Sequence, residues 1–140
     1  MKSFLVEVIT PSKTCYSGMV TDITIPGTKG GFQVLYNHAP LMSSFEIGKV
    51  KLTEQDGKEL NFATGGGTVE IMNNKVLILA ESFESPDEVD VNRAKDALKR
   101  AEERIKNRNV EKIDVARAEA ALQRAIVRLK LTGNFSSNKD

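Results

Sequence analysis

The residues with most chemistry to offer in this 140-residue chain are its arginines, all of which fall between Arg93 and Arg128. A guanidinium is a planar fork that grips carboxylate or phosphate through two parallel N–H···O bonds, which a lysine ammonium cannot do. Arg93, Arg100 and Arg104 are spaced by seven and four, so a helix presents them on one face, and Arg117, Arg124 and Arg128 repeat that spacing. Two such faces closing on each other would gather several guanidiniums around one point. Asp90 and Glu84 would lie close enough to orient them or to accept from a ligand's donors. A polyphosphate or an acidic protein loop suits such a site. The plainer alternative is that arginine is a good helix former on a solvated face. Pairs such as Asp96–Arg100 would then add only about 0.3–0.5 kcal/mol each.

Other constellations carry less. Gly27-Thr28-Lys29-Gly30-Gly31 lacks the four-residue spacer of a phosphate loop, and a strand follows it where a helix should begin. Gly65-Gly66-Gly67 fails the same test and reads as a place of close backbone approach between sheets. His38 is the sole histidine and Cys15 the sole cysteine. No histidine metal site, thiolate cluster, disulfide framework or Ser/His/Asp triad is therefore supported. Asp87/Glu88 and Glu102/Glu103 are sequence neighbours that point to different helix faces, so they read as capping and solvating charge. No catalytic residue and no metal ligand is assigned, and the chain is not expected to be an enzyme.

The charge balance narrows the partners. A net charge of +1 argues against nucleic acid, whose binders show a clear basic excess. Residues 1–86 carry seven lysines against nine acids, whereas residues 87–131 carry twelve bases against nine acids. An acidic partner is thus expected at the C-terminal part. No stretch approaches the ~20 apolar residues of a membrane span, and MKSFLVEVITP has too short an apolar run for a signal peptide. The expectation is a protein that is soluble, or peripheral through a partner.

Two kinds of element must position the arginines. Up to Ala80 the chain reads as short strands between turns: Phe4–Ile9, Met19–Ile25, Phe32–Leu35, Leu41–Phe45, Lys49–Thr53, Lys58–Ala63, Thr68–Met72 and Lys75–Ala80. Asn73-Asn74 suits a tight turn, because asparagine tolerates positive φ. So many short strands imply an all-β sandwich or flattened barrel. Beyond Pro86 the period becomes helical, and the chain says the same thing twice. VDVNRAKDALKRAEERIK (Val89–Lys106) and IDVARAEAALQRAIVRLK (Ile113–Lys130) share ten of eighteen positions. Asp90 and Asp114 are N-cap candidates. Val91, Ala94, Leu98, Ala101 and Ile105 form a seam, matched by Val115, Ala118, Leu122, Ala125 and Leu129. The predicted architecture is a β-sandwich head over residues 1–85 and an antiparallel two-helix hairpin over 86–132, linked through Asn107–Lys112. A tail over 133–140 follows, with the chain fraying beyond Leu131. Alanine seams bury little area, so the hairpin is expected to contribute roughly a few kcal/mol of packing.

At this point the residues resemble a known family. PGTKGGFQVLYNHAPL (Pro26–Leu41), the Gly65-Gly66-Gly67 strand entry, VLILAESFE (Val76–Glu84) and VDVNRA (Val89–Ala94) together resemble the epsilon subunit of the rotary ATP synthase. The resemblance runs in order over nearly the whole chain. It implies a non-catalytic subunit of the central rotor stalk, at the cytoplasmic face of the membrane and attached only through the complex. The head would bind the gamma subunit and touch the c-ring, with contacts at Lys29, Gly30, Gly31 and His38. The hairpin would be a mobile arm that, when extended, engages an acidic segment of a beta subunit and inhibits ATP hydrolysis. It further implies a regulatory ATP on the folded arm through an Ile/Leu-Asp-x-x-Arg-Ala motif. Carried onto this chain, that site uses Glu84, Asp90, Arg93, Arg100, Arg124 and Arg128. The chain departs from the pattern at Val89, at Gln33 and Tyr36, and at Gly31, where the family often has an acidic residue. A free-standing ATP-sensing module is the alternative.

Overall fold

The computed structural model describes residues 2–109 and 114–135. Seven strands come first: β1 (Phe4–Ile9), β2 (Thr14–Ile25), β3 (Phe32–Leu35), β4 (Leu41–Glu54), β5 (Glu59–Met72), β6 (Lys75–Ala80) and β7 (Phe83–Glu84). A 3-10 turn (Pro86–Glu88) leads to α1 (Val91–Lys106) and α2 (Val115–Leu131). The strands lie in the order β1-β6-β5-β4-β2-β3, and β1 also pairs β2, which closes the sheet on itself. Alternation fills the interior: Phe4, Val6 and Val8 of β1 face Val76, Ile78 and Ala80 of β6, all buried.

The structure differs from the strand prediction at two joins. Leu41–Phe45 and Lys49–Thr53 are one strand, β4, and Lys58–Ala63 and Thr68–Met72 are one strand, β5. Their antiparallel ladder runs from Leu41↔Ile71 to Thr53↔Glu59 and skips only at Glu46 and Gly66. There the Glu46 N–H turns away to donate to the Pro26 carbonyl at 2.7 Å. Gly66 takes φ +95°, and a Cβ on Gly67 would stand 2.0 Å from the Leu79 carbonyl oxygen. The glycine run bends β5 between layers without ending it. In sequence such a run reads as a break, because the strands it must clear are not visible there.

A second difference is in β2. Strict alternation sets Val20 on the face opposite Ile23 and Ile25, yet all three are fully buried. The register against β4 slips between Val20 and Asp22, so a bulge at Thr21 returns Val20 to the core face. The strand also begins earlier than predicted, at Thr14, because it pairs along β1. At Asn73 and Asn74, φ values of 52° and 58° form the expected tight turn. β7 has no periodic signal; it is placed by Phe83, whose ring stacks on Phe62 at 4.5 Å.

The two helices are related in sequence but not in environment. α2 packs on β4 and β5 with one side and on α1 with the other, while α1 packs chiefly on α2. Where α1 carries Asn92, Asp96, Glu102 and Glu103, the repeat places Ala116, Ala120, Ile126 and Val127 in α2. The second copy is apolar on two faces because it is the middle layer. The seam alanines Ala94, Ala101, Ala118 and Ala125 are buried, as the spacing predicts, together with Leu129. Asp90 caps α1 by accepting from the Arg93 N–H at 3.1 Å, and Asp114 caps α2 through Arg117 at the same distance.

Past Leu131 the chain closes the helix instead of fraying at once. Gly133 has φ +75°, its N–H reaches the Lys130 carbonyl, and the Asn134 N–H reaches that of Leu129 at 2.8 Å. This is a Schellman stop. Part of the predicted link, Val110–Lys112, and residues 136–140 of the tail lie outside the described residues. Gly67→Ala is expected to destabilise the head by at least about 2 kcal/mol, since backbone on a neighbouring strand must move. Urea denaturation followed by circular dichroism measures this, and an unchanged midpoint would remove the bend's steric requirement.

Candidate functional site

Where the arm leaves the head, a cleft of about 310 Å³ is lined by Glu84, Glu88, Asp90, Arg93, Ala94, Ala97, Arg100 and Arg128. Each element contributes for a local reason. β7 brings Glu84 beneath the arm, the 3-10 turn brings Glu88, and the N-cap brings Asp90. Arg93 and Arg100 come from the same face of α1, two turns apart. The small side chains of Ala94 and Ala97 leave the space open between them. The last turn of α2 closes the cleft with Arg128.

Three carboxylates and three guanidiniums meet here, so the formal charges cancel, but they are not equally available. Glu84 Oε1 accepts from Arg128 Nε at 2.5 Å, and both side chains are about 30% exposed (30% and 29%). Asp90 is used as the helix cap. Glu88 Oε1 accepts from the Ser85 N–H at 3.0 Å and from the Ser85 hydroxyl at 3.2 Å, while Lys13 donates to Oε2 at 2.9 Å. Those bonds, the Ser85 N–H first and then the Lys13 ammonium, hold the Glu88 carboxyl below the usual glutamate range. Every acid is therefore engaged, and among the described residues Arg93 and Arg100 have no ion-pair partner. The Asp96–Arg100 pair that the plainer reading would use is not formed either. The free donors of the cleft are cationic, which suits an anion with several acceptor oxygens.

Of the residues singled out in the sequence, Glu84, Asp90, Arg93, Arg100 and Arg128 are brought together. Arg124 is not in the cleft. It lies in a narrow crevice between α2 and the head, with Ala63, Thr64, Ser82 and Arg128. Arg104 and Arg117 are exposed and outside both. Glu88 and Ala97 line the cleft and were not among the predicted site residues. For Glu88 a signal existed, since Ser85-Pro86-Asp87-Glu88 has the Ser-x-x-Glu spacing in which the glutamate reaches back to the first N–H. Lys29, Gly30 and Gly31 are exposed on the β2–β3 loop, where Gly30 turns the chain at φ +112°. His38 is half-buried on the β3–β4 loop, its Nδ1 2.7 Å from the Ala39 carbonyl oxygen. Neither loop lines the cleft. Among the described residues no acid, histidine and cysteine group has the makings of a metal site, and no helix is long and apolar enough to cross a membrane.

A closed β-sandwich carrying a helical hairpin, joined through a cleft rich in arginine, defines the class of protein. Residues 3–86 match the family described as ATP synthase, Delta/Epsilon chain, beta-sandwich domain, and residues 87–133 match its long alpha-helix domain. The chain is 43% identical over 104 residues to the ATP synthase epsilon chain of Pelotomaculum thermopropionicum, covering 74% of this chain and 77% of that one. It is 41% identical over 128 residues to the epsilon chain of Geotalea daltonii, covering 91% and 92%. A chain in the Euglena gracilis mitochondrial ATP synthase structure (OSCP/F1/c-ring) superposes with a TM-score of 0.74 at 20% identity, over 86% of this chain and 76% of that one. One in the Tetrahymena thermophila central stalk/c-ring structure has a TM-score of 0.63 at 16% identity, over 94% and 97%. These two share the fold. The chain belongs to the ATP synthase delta/epsilon family, as an epsilon chain of the ATP synthase complex.

Two measurements probe the joint. Glu84→Gln removes the charge that holds Arg128, and a partly exposed pair of this kind contributes about 1 kcal/mol. Amide exchange in α2 should accelerate about fivefold while that of β1 stays unchanged; equal rates in both proteins would deny the pair a role. For Glu88 the folded carboxyl titrates below its ordinary value, so its bonds stabilise the turn above that range and are lost as pH falls through the folded value. The Glu88 side-chain carbon signal in an NMR titration should therefore have a midpoint below the free value of 4.5. A midpoint at or above it contradicts the assigned bonds.

Proposed function

We propose that this epsilon chain is a non-catalytic part of the central rotor stalk that couples proton flow to ATP synthesis, with its hairpin acting as a conformational brake on ATP hydrolysis. The observation that carries the reading is the way the arm is held. α2 rests on β4 and β5, and one partly exposed ion pair, Glu84–Arg128, ties its last turn to β7. An attachment of that size can open and reclose without unfolding the closed sheet. Extended, the arm carries its arginines to an acidic segment of a beta subunit. The head anchors to gamma and the c-ring, using the loops that hold Lys29, Gly30, Gly31 and His38. Its exposed Leu35 and Met42 supply apolar surface for such docking. The chain then sits at the cytoplasmic face of the membrane through the complex. In support, structures with its fold come from ATP synthase assemblies, one of them described as central stalk and c-ring.

ATP is the ligand proposed for the cleft, as a regulator and not as a required cofactor. The donor set fits it: Arg93 and Arg100 are free to take phosphate oxygens, Arg128 stands beside them, and Asp90 and Glu84 can accept from a ligand's donors. Ala94 and Ala97 leave room beside α1. Bound there, ATP would bridge α1 and α2 and favour the folded arm by mass action. Calorimetric titration of the full chain with ATP, alongside capture by gamma, tests both halves of the reading. Gamma binding is expected, with ATP binding lost by more than tenfold in Arg93→Ala and in Arg100→Ala. Arg124→Ala should weaken it less, because Arg124 faces Thr64 and Ser82. Unchanged affinity in both Arg93→Ala and Arg100→Ala would refute the site. Tight ATP binding without gamma binding would favour the free-standing sensor.

A further inference from the structure

The cleft is approached from the head by a second element, far away in sequence. Lys13 lies in the turn between β1 and β2 and donates to Glu88 across a separation of 75 residues. That turn is stiff. Thr10 is buried, and both its N–H and its hydroxyl donate to the Lys13 carbonyl, at 2.9 and 3.2 Å. Pro11 fixes one more dihedral. Lys13 is thus a charge held by the sheet at the place where the arm begins.

Glu88 passes that hold on. One carboxylate oxygen takes Lys13; the other closes the 3-10 turn on Ser85. Within the turn the Glu88 N–H donates to the Ser85 carbonyl at 3.0 Å and the Val89 N–H to that of Pro86 at 3.3 Å. Val89 is buried, Asp90 follows it, and the Asp90 carboxylate fixes the Arg93 N–H. The path from Lys13 to Arg93 thus runs through the Lys13–Glu88 bond, the chain from Glu88 to Asp90 and the Asp90–Arg93 cap bond. Both partners of the ion pair titrate accordingly, Lys13 above its usual value because of Glu88, and Glu88 below its own because of Ser85 and Lys13.

We infer that Lys13, acting through Glu88, is a positioning residue of the arginine cleft: the head turn pins the hinge between head and arm and so sets where Asp90 and Arg93 stand. The bland alternative is a surface ion pair with no consequence, since the two side chains are 57% and 42% exposed. Only the effect on ATP rests on the proposed function; the hinge role does not.

The test is a double-mutant cycle on the full chain with Lys13→Met, Glu88→Gln and both together. The glutamine keeps an oxygen for the Ser85 N–H but gives up the charge. Exchange of the Glu88, Val89 and Arg93 amides is read by NMR, and ATP affinity by calorimetry. Lys13→Met should speed the three amides roughly two- to fivefold, the span of exposed ion pairs, and leave the β5 amides unchanged. The double variant should be no faster than Glu88→Gln alone, and the ATP Kd should rise by a similar factor. Unchanged hinge amides in Lys13→Met overturn the proposal, as does a double variant in which the two effects simply add. If the wild-type chain binds no ATP while the hinge amides still accelerate, the nucleotide reading falls and the hinge role stands.

Discussion

The bend in β5 at Gly65–Gly67 is the constraint on which the rest depends. β4 and β5 form one long ladder that serves both layers of the sandwich, and it can do so only by turning sharply without losing its hydrogen bonds. Backbone from Leu79 and Ala80 passes within a side chain's radius of Gly67, and the Ser82 hydroxyl occupies the space a Cβ on Gly65 would need. The Thr64 hydroxyl, almost fully buried, ties the corner by donating to the Ser82 carbonyl at 2.9 Å and accepting from the Gly66 N–H. β7 pairs with β5 just before that corner, Glu84 opposite Ala63 and Phe83 opposite Thr64, so the bend determines where Glu84 is delivered.

The same ladder offers α2 its resting place. A helix lying on glycine and alanine approaches closely but buries little area per residue, so packing energy is modest and directional bonds matter more. The Glu84–Arg128 pair joins β7 to the last turn of α2, and the Lys13–Glu88 pair joins the first hairpin turn to the 3-10 turn that leads into α1. The arm is therefore fastened at both of its ends on the head, by one ion pair each. α1, with its polar outer face, is carried by α2 and adds no comparable contact with the sheet. In the opening proposed above, a hairpin layered in this way would leave as a unit, because the seam between α1 and α2 need not break when α2 lifts.

The electrostatics of the cleft follow from how its acids are spent. Asp90 satisfies a helix N-terminus, Glu88 a tight turn, and Glu84 an arginine, so each carboxylate does structural work at the point where the chain changes direction. The residual field comes from Arg93 and Arg100. Arg93 and Arg100 are exposed, so a cleft that is neutral by count and cationic by availability buries no unpaired charge.

Much of this was legible in the sequence. The period switch at Pro86, the caps at Asp90 and Asp114, the alanine seam and the Asn73-Asn74 turn depend on neighbours within a few residues, and those the sequence states outright. Helical spacing plus a cap also brings Asp90, Arg93, Arg100 and Arg128 together, although Arg104 and Arg117 share that spacing and lie outside the cleft; the full six-residue set is what the family resemblance implies. The differing copies of the repeat even encode the layering, in the exchange of Glu102 and Glu103 for Ile126 and Val127. What only the tertiary structure decided are the facts that turn on distant backbone: that the glycine run bends a strand instead of ending it, that a bulge at Thr21 restores Val20 to the core, that Arg124 faces Thr64 and Ser82 while Arg128 turns to Glu84, and that Lys13 reaches Glu88. Sequence spacing fixes which side chains share a face of one element; which face meets which neighbour is fixed by the closure of the sheet, and no local pattern records it.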